Sequence, residues 1–447
     1  MRISREFARL SFVLTACAML APTARAGGQL DPSFGVGGKV AIDIGTNSTD
    51  DARAVALDAS GNIYVAGVSD ASGQDAFTVV KLDSSGGPDP AFGSGGAAIA
   101  NIGSGNYEMP FTMALSSSGD VFVGGTSNIA GSPDMTVIKF NASGEVDTSY
   151  GDGGRALIDF GGGDSDFLTA MVIDEGEHLF GVGETVTDLG YEFAVAKLDS
   201  TGLLDPDFGD GGRVIVGFDD SRASDYANAV VRDDSGNLYV AGTVNLAGES
   251  SDIGILKLDS AGNLVTDFGV GGKAVVHIGN ADLGALTRDA RGNLYVAGQS
   301  YGPQGISVAK LDPSGRLARN FGNGGTQIIQ TQSGDRLLEA HGVAIDRYGD
   351  IYLTGESLAD DETPNFVAIQ LDQRANRVRD FGNEGVLSID FGGLADISYA
   401  SALDADGHLY LAGIVNSGVS PIHGDFGVAK LLVTPPRRMW MHSRHQR

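Results

Sequence analysis

The residues whose types and spacing could do chemistry are carboxylates that recur at one place in the chain. Each precedes a glycine-containing turn by seven or eight residues. They are Asp50 with Asp51, Glu108, Asp166, Asp225, Asp282, Glu339 and Asp396. Clustered carboxylates repel one another, so they bind a hard cation or have raised pKa values. Calcium takes six to eight oxygen ligands, which a ring of carboxylates could supply. The alternative interpretation is that each acid caps the turn that enters a strand.

Other patterns with catalytic associations are weaker. His341 lies two residues after Glu339, where it could serve as an acid or base beside a metal. The segment from Gly298 to Gly302 matches a nucleophile elbow, but that motif needs a following helix, and none is indicated. The glycine-rich turn at Gly35 leads into a strand and lacks the Lys-Ser/Thr of a phosphate loop. These patterns predict no catalytic residues and no organic cofactor.

An internal repeat must position the carboxylates. The segment from Gly61 to Gly67, with Tyr64 at its centre, returns with small changes every 56 to 60 residues. The other copies begin at Gly119, Gly176, Gly236, Gly292, Gly349 and Gly407. A fixed period of this size is typical of a repeat architecture.

Each repeat contains the signals for four short strands and none for a long helix. An Asp-x-x-Gly turn joins two apolar runs into a hairpin, a polar loop follows, and a third strand ends in Lys-Leu-Asp. A turn ending in Phe-Gly then leads to a fourth strand. The sequence therefore predicts an all-β protein of seven four-stranded units.

The ends of the chain indicate a closed ring. The first predicted strand, at residues 38–44, is of the fourth type, whereas the last, at 425–432, is of the third type. We therefore expect these two strands to pair, so that the N-terminal strand completes the last sheet of a seven-bladed β-propeller and leaves no open edge. If the first strand of each hairpin is innermost, the carboxylates lie at one level near the central channel.

Three motifs resemble the bacterial delta-60 repeat family. They are Leu-Asp-Pro-x-Phe-Gly, Asp-x-x-Gly-Asn-Ile/Leu-Tyr-Val-Ala-Gly and Val-x-Lys-Leu-Asp, and the resemblance covers about residues 29–431. It implies a β-propeller-like, secreted or envelope-associated protein of unassigned activity, and it supplies no catalytic residues. The third copy departs most, because its turn at Asp174 to Gly176 reads as one residue short.

The chain divides into three predicted parts. Residues 1–26 read as a secretory signal, with arginines, a short apolar run and an Ala-Arg-Ala cleavage site. A lipobox ending at Cys17 is the alternative, which would anchor the protein to a membrane by lipid. Residues 27–434 form the propeller, and the basic segment 435–447 is expected to be disordered. We therefore expect export to the periplasm or the medium, and no other segment is apolar enough to span a membrane.

Charge limits the partners. The net charge of −27 repels nucleic acid and anionic lipid. The favoured function is an exported, non-enzymatic and monomeric binding module for a protein, glycan or small molecule, which binds through variable loops such as Asp70–Asp75 or Asn128–Asp134. The alternative is a calcium-dependent hydrolase or lactonase at the channel mouth, with His341 as acid or base. A structural surface protein is the third option.

Overall fold

The computed structural model describes most of the chain between residues 27 and 433. The described residues are 27–45, 48–101, 108–129, 131–161, 165–219, 224–246, 251–330, 336–358, 363–393, 395–416 and 424–433, with backbone alone at 336–338. The predicted signal segment with Cys17 and the basic tail lie outside them. All regular structure in the described part is β-strand, and no helix there could cross a membrane.

Twenty-eight of the strands form seven sheets of four antiparallel strands each. The first strands are Asp50–Leu57, Glu108–Leu115, Asp166–Ile173, Tyr226–Arg232, Ala281–Arg288, Arg336–Ile345 and Asp396–Leu403. The second strands are Ile63–Ser69, Val121–Ser127, Leu179–Thr187, Leu238–Val244, Leu294–Tyr301, Ile351–Leu358 and His408–Val415. The third strands are Ala76–Leu82, Asp134–Phe140, Gly190–Leu198, Asp252–Leu258, Gln304–Leu311, Pro364–Leu371 and Asp425–Leu432. The fourth strands are Ala97–Ala100, Arg155–Ile158, Arg213–Val216, Lys273–Val276, Thr326–Ile329, Val386–Ile389 and Lys39–Ile42.

The first strands form the inside of a ring. Each contacts the first strand of the next sheet, and the last of them, Asp396–Leu403, contacts the first, Asp50–Leu57. We call them the inner strands, call the fourth strands the outer strands, and number the blades 1 to 7 in the order of their inner strands. The predicted seven-bladed, all-β propeller is confirmed.

The predicted joining of the two ends is also present. Lys39–Ile42 pairs antiparallel with Asp425–Leu432, with Val40 opposite Val428. The short strand Gln29–Leu30 extends the same edge as a fifth strand of blade 7. The ring is therefore closed by backbone hydrogen bonds between the beginning and the end of the described chain.

The repeated aromatics explain why each copy keeps its motif. In every blade the aromatic of the second strand packs against the ring in the Phe-Gly turn, with centroids 5.6 to 6.2 Å apart. The turn then bends sharply: Gly93 has a φ of +54°, and a Cβ there would lie 2.1 Å from the carbonyl oxygen of Ala97. Glycine is required at that point because the backbone approaches itself so closely.

The turn of the third copy corrects one expectation from the sequence. Its hydrogen bonds run from Asp174 N to His178 O and from Glu177 N to Asp174 O, as in the other copies, so the turn is not one residue short. Glu177, with a φ of +60°, takes the left-handed conformation that glycine takes elsewhere. Gly176 is the residue before Glu177. Aligning the copies on their glycines therefore makes this turn look one residue shorter than it is.

Candidate functional site

The predicted carboxylates occupy two different positions on the inner strands. Every inner strand has a register shift, as between Ala52 and Ala54 in blade 1. Five acids lie two residues before the shift and form what we call the buried position: Asp50, Glu108, Asp166, Asp225 and Asp396. Three lie one residue before it, at what we call the axis position: Asp51, Asp282 and Glu339. Successive residues of a strand face opposite sides, so the two sets point in different directions.

Acids at the buried position hold the backbone between blades. Asp166 accepts a hydrogen bond from the backbone N–H of Phe160 at 2.7 Å, and Asp396 accepts one from Phe391 at 2.6 Å. Both donors follow the outer strand of the preceding blade. Asp225 makes the same contact with Phe218, and burial raises the pKa of all three carboxyls. This geometry matches the turn-capping interpretation for these members of the set.

The buried acids do not gather around one point. Two groups of three carboxylates have oxygens within 4.8 Å of one another at the seams between blades. They are Asp43, Asp50 and Asp425, and Asp134, Asp159 and Asp166. Each group contains one acid of the predicted ring. Calcium binding by the complete set therefore stays a prediction, with no common centre among its described members.

Blade 6 brings together a group of mixed chemistry at the axis position. Glu339, His341 and Glu356 offer ligand atoms that all lie within 4.8 Å of one another. Glu339 and His341 belong to the inner strand, and Glu356 is the cross-strand partner of Glu339 on the second strand. Glu339 and His341 were predicted from the sequence, whereas Glu356 was not. Counting the hairpin register outward from the turn would have placed Glu356 opposite Ala340, because the register shift between Ala340 and Gly342 moves the pairing by one residue.

Burial and neighbouring charges set the protonation of this group. Burial, together with Glu356 and Asp282, raises the pKa of Glu339 to about 7. Burial raises the pKa of Glu356 as well. Burial and the nearby Arg53 lower the pKa of His341 to about 4, so the imidazole is neutral at neutral pH. A neutral imidazole and two crowded carboxyls are suited to binding a cation or donating and accepting hydrogen bonds.

The backbone of blade 6 is adapted at this point. Its inner strand has a second register shift, between Leu337 and Glu339, in addition to the one shared by all blades. Bulges of this kind re-aim side chains and are enriched beside functional sites. Blade 5 contributes Gly284, whose Cβ would lie 1.9 Å from the carbonyl oxygen of Ala340. The absence of a side chain there lets the two inner strands approach closely.

Polar side chains continue on both sides of blade 6. In blade 5, the Tyr301 hydroxyl donates a 2.7 Å hydrogen bond to Asp282. In blade 1, the Arg53 guanidinium donates to Asp51 at 2.9 Å and lies 4.0 Å from the centre of the Tyr399 ring of blade 7. Tyr399 in turn lies 5.4 Å from the ring of His341. We call this side of the mouth the polar arc. It consists of Asp51, Arg53, Asp282, Tyr301, Glu339, His341, Glu356 and Tyr399.

The opposite side of the ring is aromatic. Phe167 and Tyr226 hold the axis position in blades 3 and 4, and Tyr191 lies between them on a third strand. The Tyr191 ring is 6.3 Å from Phe167 and 5.5 Å from Tyr226, measured between centroids, and all three side chains are half-buried. We call these three residues the aromatic arc. This arc was not predicted from the sequence, because only acids were considered at this register.

A separate groove lies on the rim of the molecule. It has a volume of about 1090 Å³ and runs beside the outer strands of blades 5 and 6, where Gln327, Arg377, Arg379 and Glu384 line it. The groove is open to solvent, and it lies at the edge of the sheets opposite the inner strands. It does not include any residue of the polar or aromatic arcs.

Comparisons with known proteins describe the fold. Residues 59–92 and 117–150 match the family model described as "Domain of unknown function (DUF5122) beta-propeller". No curated protein matches the sequence. The chain is a β-propeller, and the narrower assignment to delta-60 repeats stays a resemblance.

Solved structures resemble the ring only distantly. A protein of unknown function from Dyadobacter fermentans has 11% identity and a TM-score of 0.48, covering 90% of this chain and 100% of its own. A gluconolactonase from Xanthomonas campestris has 12% identity and a TM-score of 0.36, with coverages of 71% and 85%. An aldose sugar dehydrogenase from Streptomyces coelicolor has 11% identity and a TM-score of 0.35, with coverages of 88% and 98%. Likenesses this distant carry no argument about function.

Proposed function

We propose that the protein is a non-enzymatic binding module that takes a saccharide unit at the mouth of its channel. The observation that carries this proposal is the division of the mouth into an aromatic arc and a polar arc. Phe167 and Tyr226 share one register level with Asp51, Asp282 and Glu339. A ligand at the axis can therefore meet rings on one side and carboxylates on the other.

A saccharide matches this pair of surfaces. The C–H face of a sugar ring packs against the negative face of an aromatic side chain, and sugar hydroxyls donate hydrogen bonds to carboxylates. Tyr301 and Tyr399 add hydroxyl groups beside the acids. An acidic mouth favours neutral or basic sugars over anionic ones.

Location and assembly belong to the same proposal. The signal-like residues 1–26 support export to the periplasm or the medium, where glycans and their fragments are available. Ring closure pairs the sheet edge at the chain ends within one chain, which supports a monomer.

Saturation-transfer NMR and calorimetry on the mature chain test the proposal. The probes are neutral, basic and anionic mono- and oligosaccharides. We expect saturable binding of neutral or basic sugars and loss of most of that binding in Tyr226→Ala. Tyr348→Ala is the matched control, since Tyr348 lies on a hairpin turn at the other end of its blade. Absence of binding across the panel, or equal loss in both variants, would overturn the proposal.

A calcium-dependent hydrolase or lactonase is the second candidate. The observation that favours it is the Glu339 carboxyl, whose pKa of about 7 suits a general acid or base beside His341. Turnover of simple lactones would be followed with and without calcium. We expect Glu339→Gln to abolish any calcium-dependent hydrolysis, and a rate equal to the uncatalysed one in the unsubstituted protein excludes this candidate.

A further inference from the structure

We infer that Glu339, His341 and Glu356 form a binding site for one divalent transition-metal ion, with Zn²⁺ as its best representative. The inference is independent of saccharide binding. It also differs from the predicted calcium ring, because it uses one imidazole and a carboxylate outside that set. Imidazole with carboxylate suits zinc and its neighbours, whereas calcium takes oxygen ligands.

Distances within the group are close to those of a loaded site. The Nε2 atom of His341 lies 3.9 Å from a Glu339 carboxylate oxygen, and the three ligand atoms lie within 4.8 Å of one another. Bonds of about 2.1 Å to zinc place tetrahedral ligands about 3.4 Å apart. Shifts of about an ångström, within the range of side-chain rotation, would bring all three onto one ion.

The group lacks partners of its own. Within the described part of the chain, neither Glu339 nor Glu356 accepts a hydrogen bond, and the ion-pair contact of Glu339 there is with His341, at 3.9 Å. The other axis acids each have a partner, because one oxygen of Asp51 pairs with Arg53 and Asp282 accepts a hydrogen bond from Tyr301. Partly buried carboxylates are costly without a partner. A metal ion would supply the missing positive charge.

Blade 3 contains a natural comparison. Glu184 holds the position of Glu356 on its second strand, but its cross-strand partner is Phe167, and Thr169 stands where blade 6 has His341. Burial raises the pKa of Glu184 to about 8, so it is held protonated and alone. The second-strand glutamate by itself therefore gives no ligand set. Among the described residues, the set arises only in blade 6, where two further ligands and an extra bulge occur together.

Three protein ligands leave part of the coordination sphere free. Zinc sites with three protein ligands keep a position for water or an incoming oxygen. The side chains of Glu339 and His341 are 32% and 20% exposed, so solvent reaches the group from the axis. An ion there would present its free position to whatever occupies the mouth.

Titration calorimetry with ZnCl₂ tests the site. The protein is the untagged mature chain, stripped with EDTA, with His442 and His445 of the tail replaced by alanine. We expect one ion per chain, a rise in Tm, and binding unaffected by excess Ca²⁺. His341→Ala and Glu356→Gln should each weaken the Kd at least about tenfold. Co²⁺ absorption provides a readout of coordination that does not depend on stability.

Glu184→Gln is the matched control, and it should bind zinc as tightly as the unsubstituted chain. No heat and no Tm rise with ZnCl₂ would overturn the inference. Binding that survives in His341→Ala and Glu356→Gln, or that falls equally in Glu184→Gln, would overturn it as well, because the ion would then be held elsewhere. Circular dichroism of each variant distinguishes loss of the ligand from loss of the fold.

Discussion

Asp50 and Asp51 are neighbours in the chain, but their carboxylates differ in role. Asp50 is fully buried and accepts a hydrogen bond from the backbone N–H of Ile44, whereas Asp51 faces the axis and pairs with Arg53. The same division separates Asp396 from Glu339. At this scale the position relative to the bulge, and not the residue type, decides whether an acid bonds the backbone between blades or faces the axis.

Glu184 should make stability depend on pH. Its pKa is raised from 4.5 to about 8 in the folded chain, so the folded state binds its proton more tightly than the unfolded state. This contribution is complete below pH 4.5 and is lost as the pH rises through about 8. At pH 8.5 we expect Glu184→Gln to have a higher Tm than the unsubstituted chain, with a free energy of unfolding larger by up to about 5 kcal/mol, and near pH 5 we expect the two chains to match. Equal Tm differences at both pH values would contradict the assignment.

At the scale of the strand, blade 6 shows how a regular hairpin becomes a site. Its inner strand has two register shifts, and blade 5 offers a glycine against it. The other blades keep one shift and have larger residues at the position of Gly284, such as Thr169 and Asn228. The local departures from the repeat therefore coincide with the most unusual ligand set.

Gly284→Ala should disturb this packing. The new Cβ would meet the carbonyl oxygen of Ala340, and backbone cannot move aside as a flexible side chain can. We expect a loss of about 1–3 kcal/mol in the free energy of unfolding, measured in urea, together with weaker zinc binding. Asn228→Ala, at the same position in blade 4, should change stability by much less. A Gly284→Ala chain as stable as the unsubstituted one would show that blades 5 and 6 can separate slightly.

The elements also show what the sequence could predict. Period, turn residues and alternation predicted four strands in each of seven blades, since those signals depend on local backbone preferences. They missed Glu356, because its cross-strand partner depends on a bulge that shifts the register by one residue. They missed the aromatic arc, because only acids were considered at the axis position. Glycine alone misplaced the turn at Glu177, since a non-glycine residue there takes the left-handed conformation.

For the molecule as a whole, the ring depends on the pairing of its two ends. Lys39–Ile42 supplies the outer strand of blade 7, and Phe34 packs against Tyr410 with ring centres 6.2 Å apart. The pairing was predictable because the first strand and the last were of different types. The position of the aromatic side of the ring was not predictable, because it depends on single residues spread over several copies.

Deleting residues 27–44 from a chain that begins at residue 27 should therefore expose the edge of Asp425–Leu432. We expect a large fall in Tm and self-association through the open edge, measured by light scattering after size-exclusion chromatography. Deleting residues 435–447 is the control and should leave the Tm unchanged. A monomer of unchanged Tm without residues 27–44 would show that blade 7 is stable with three strands.

This joining of the ends has a consequence for synthesis. Lys39–Ile42 leaves the ribosome early, but its partner strand is made nearly four hundred residues later. Until then Lys39–Ile42 has no partner strand for its backbone hydrogen bonds. The six blades already made cannot supply one, because the partner strand belongs to the seventh. A chain truncated before Asp425 would therefore have an unpaired β-strand near its N-terminus. Proteases and chaperones could recognise that exposed strand edge as a sign of an incomplete chain.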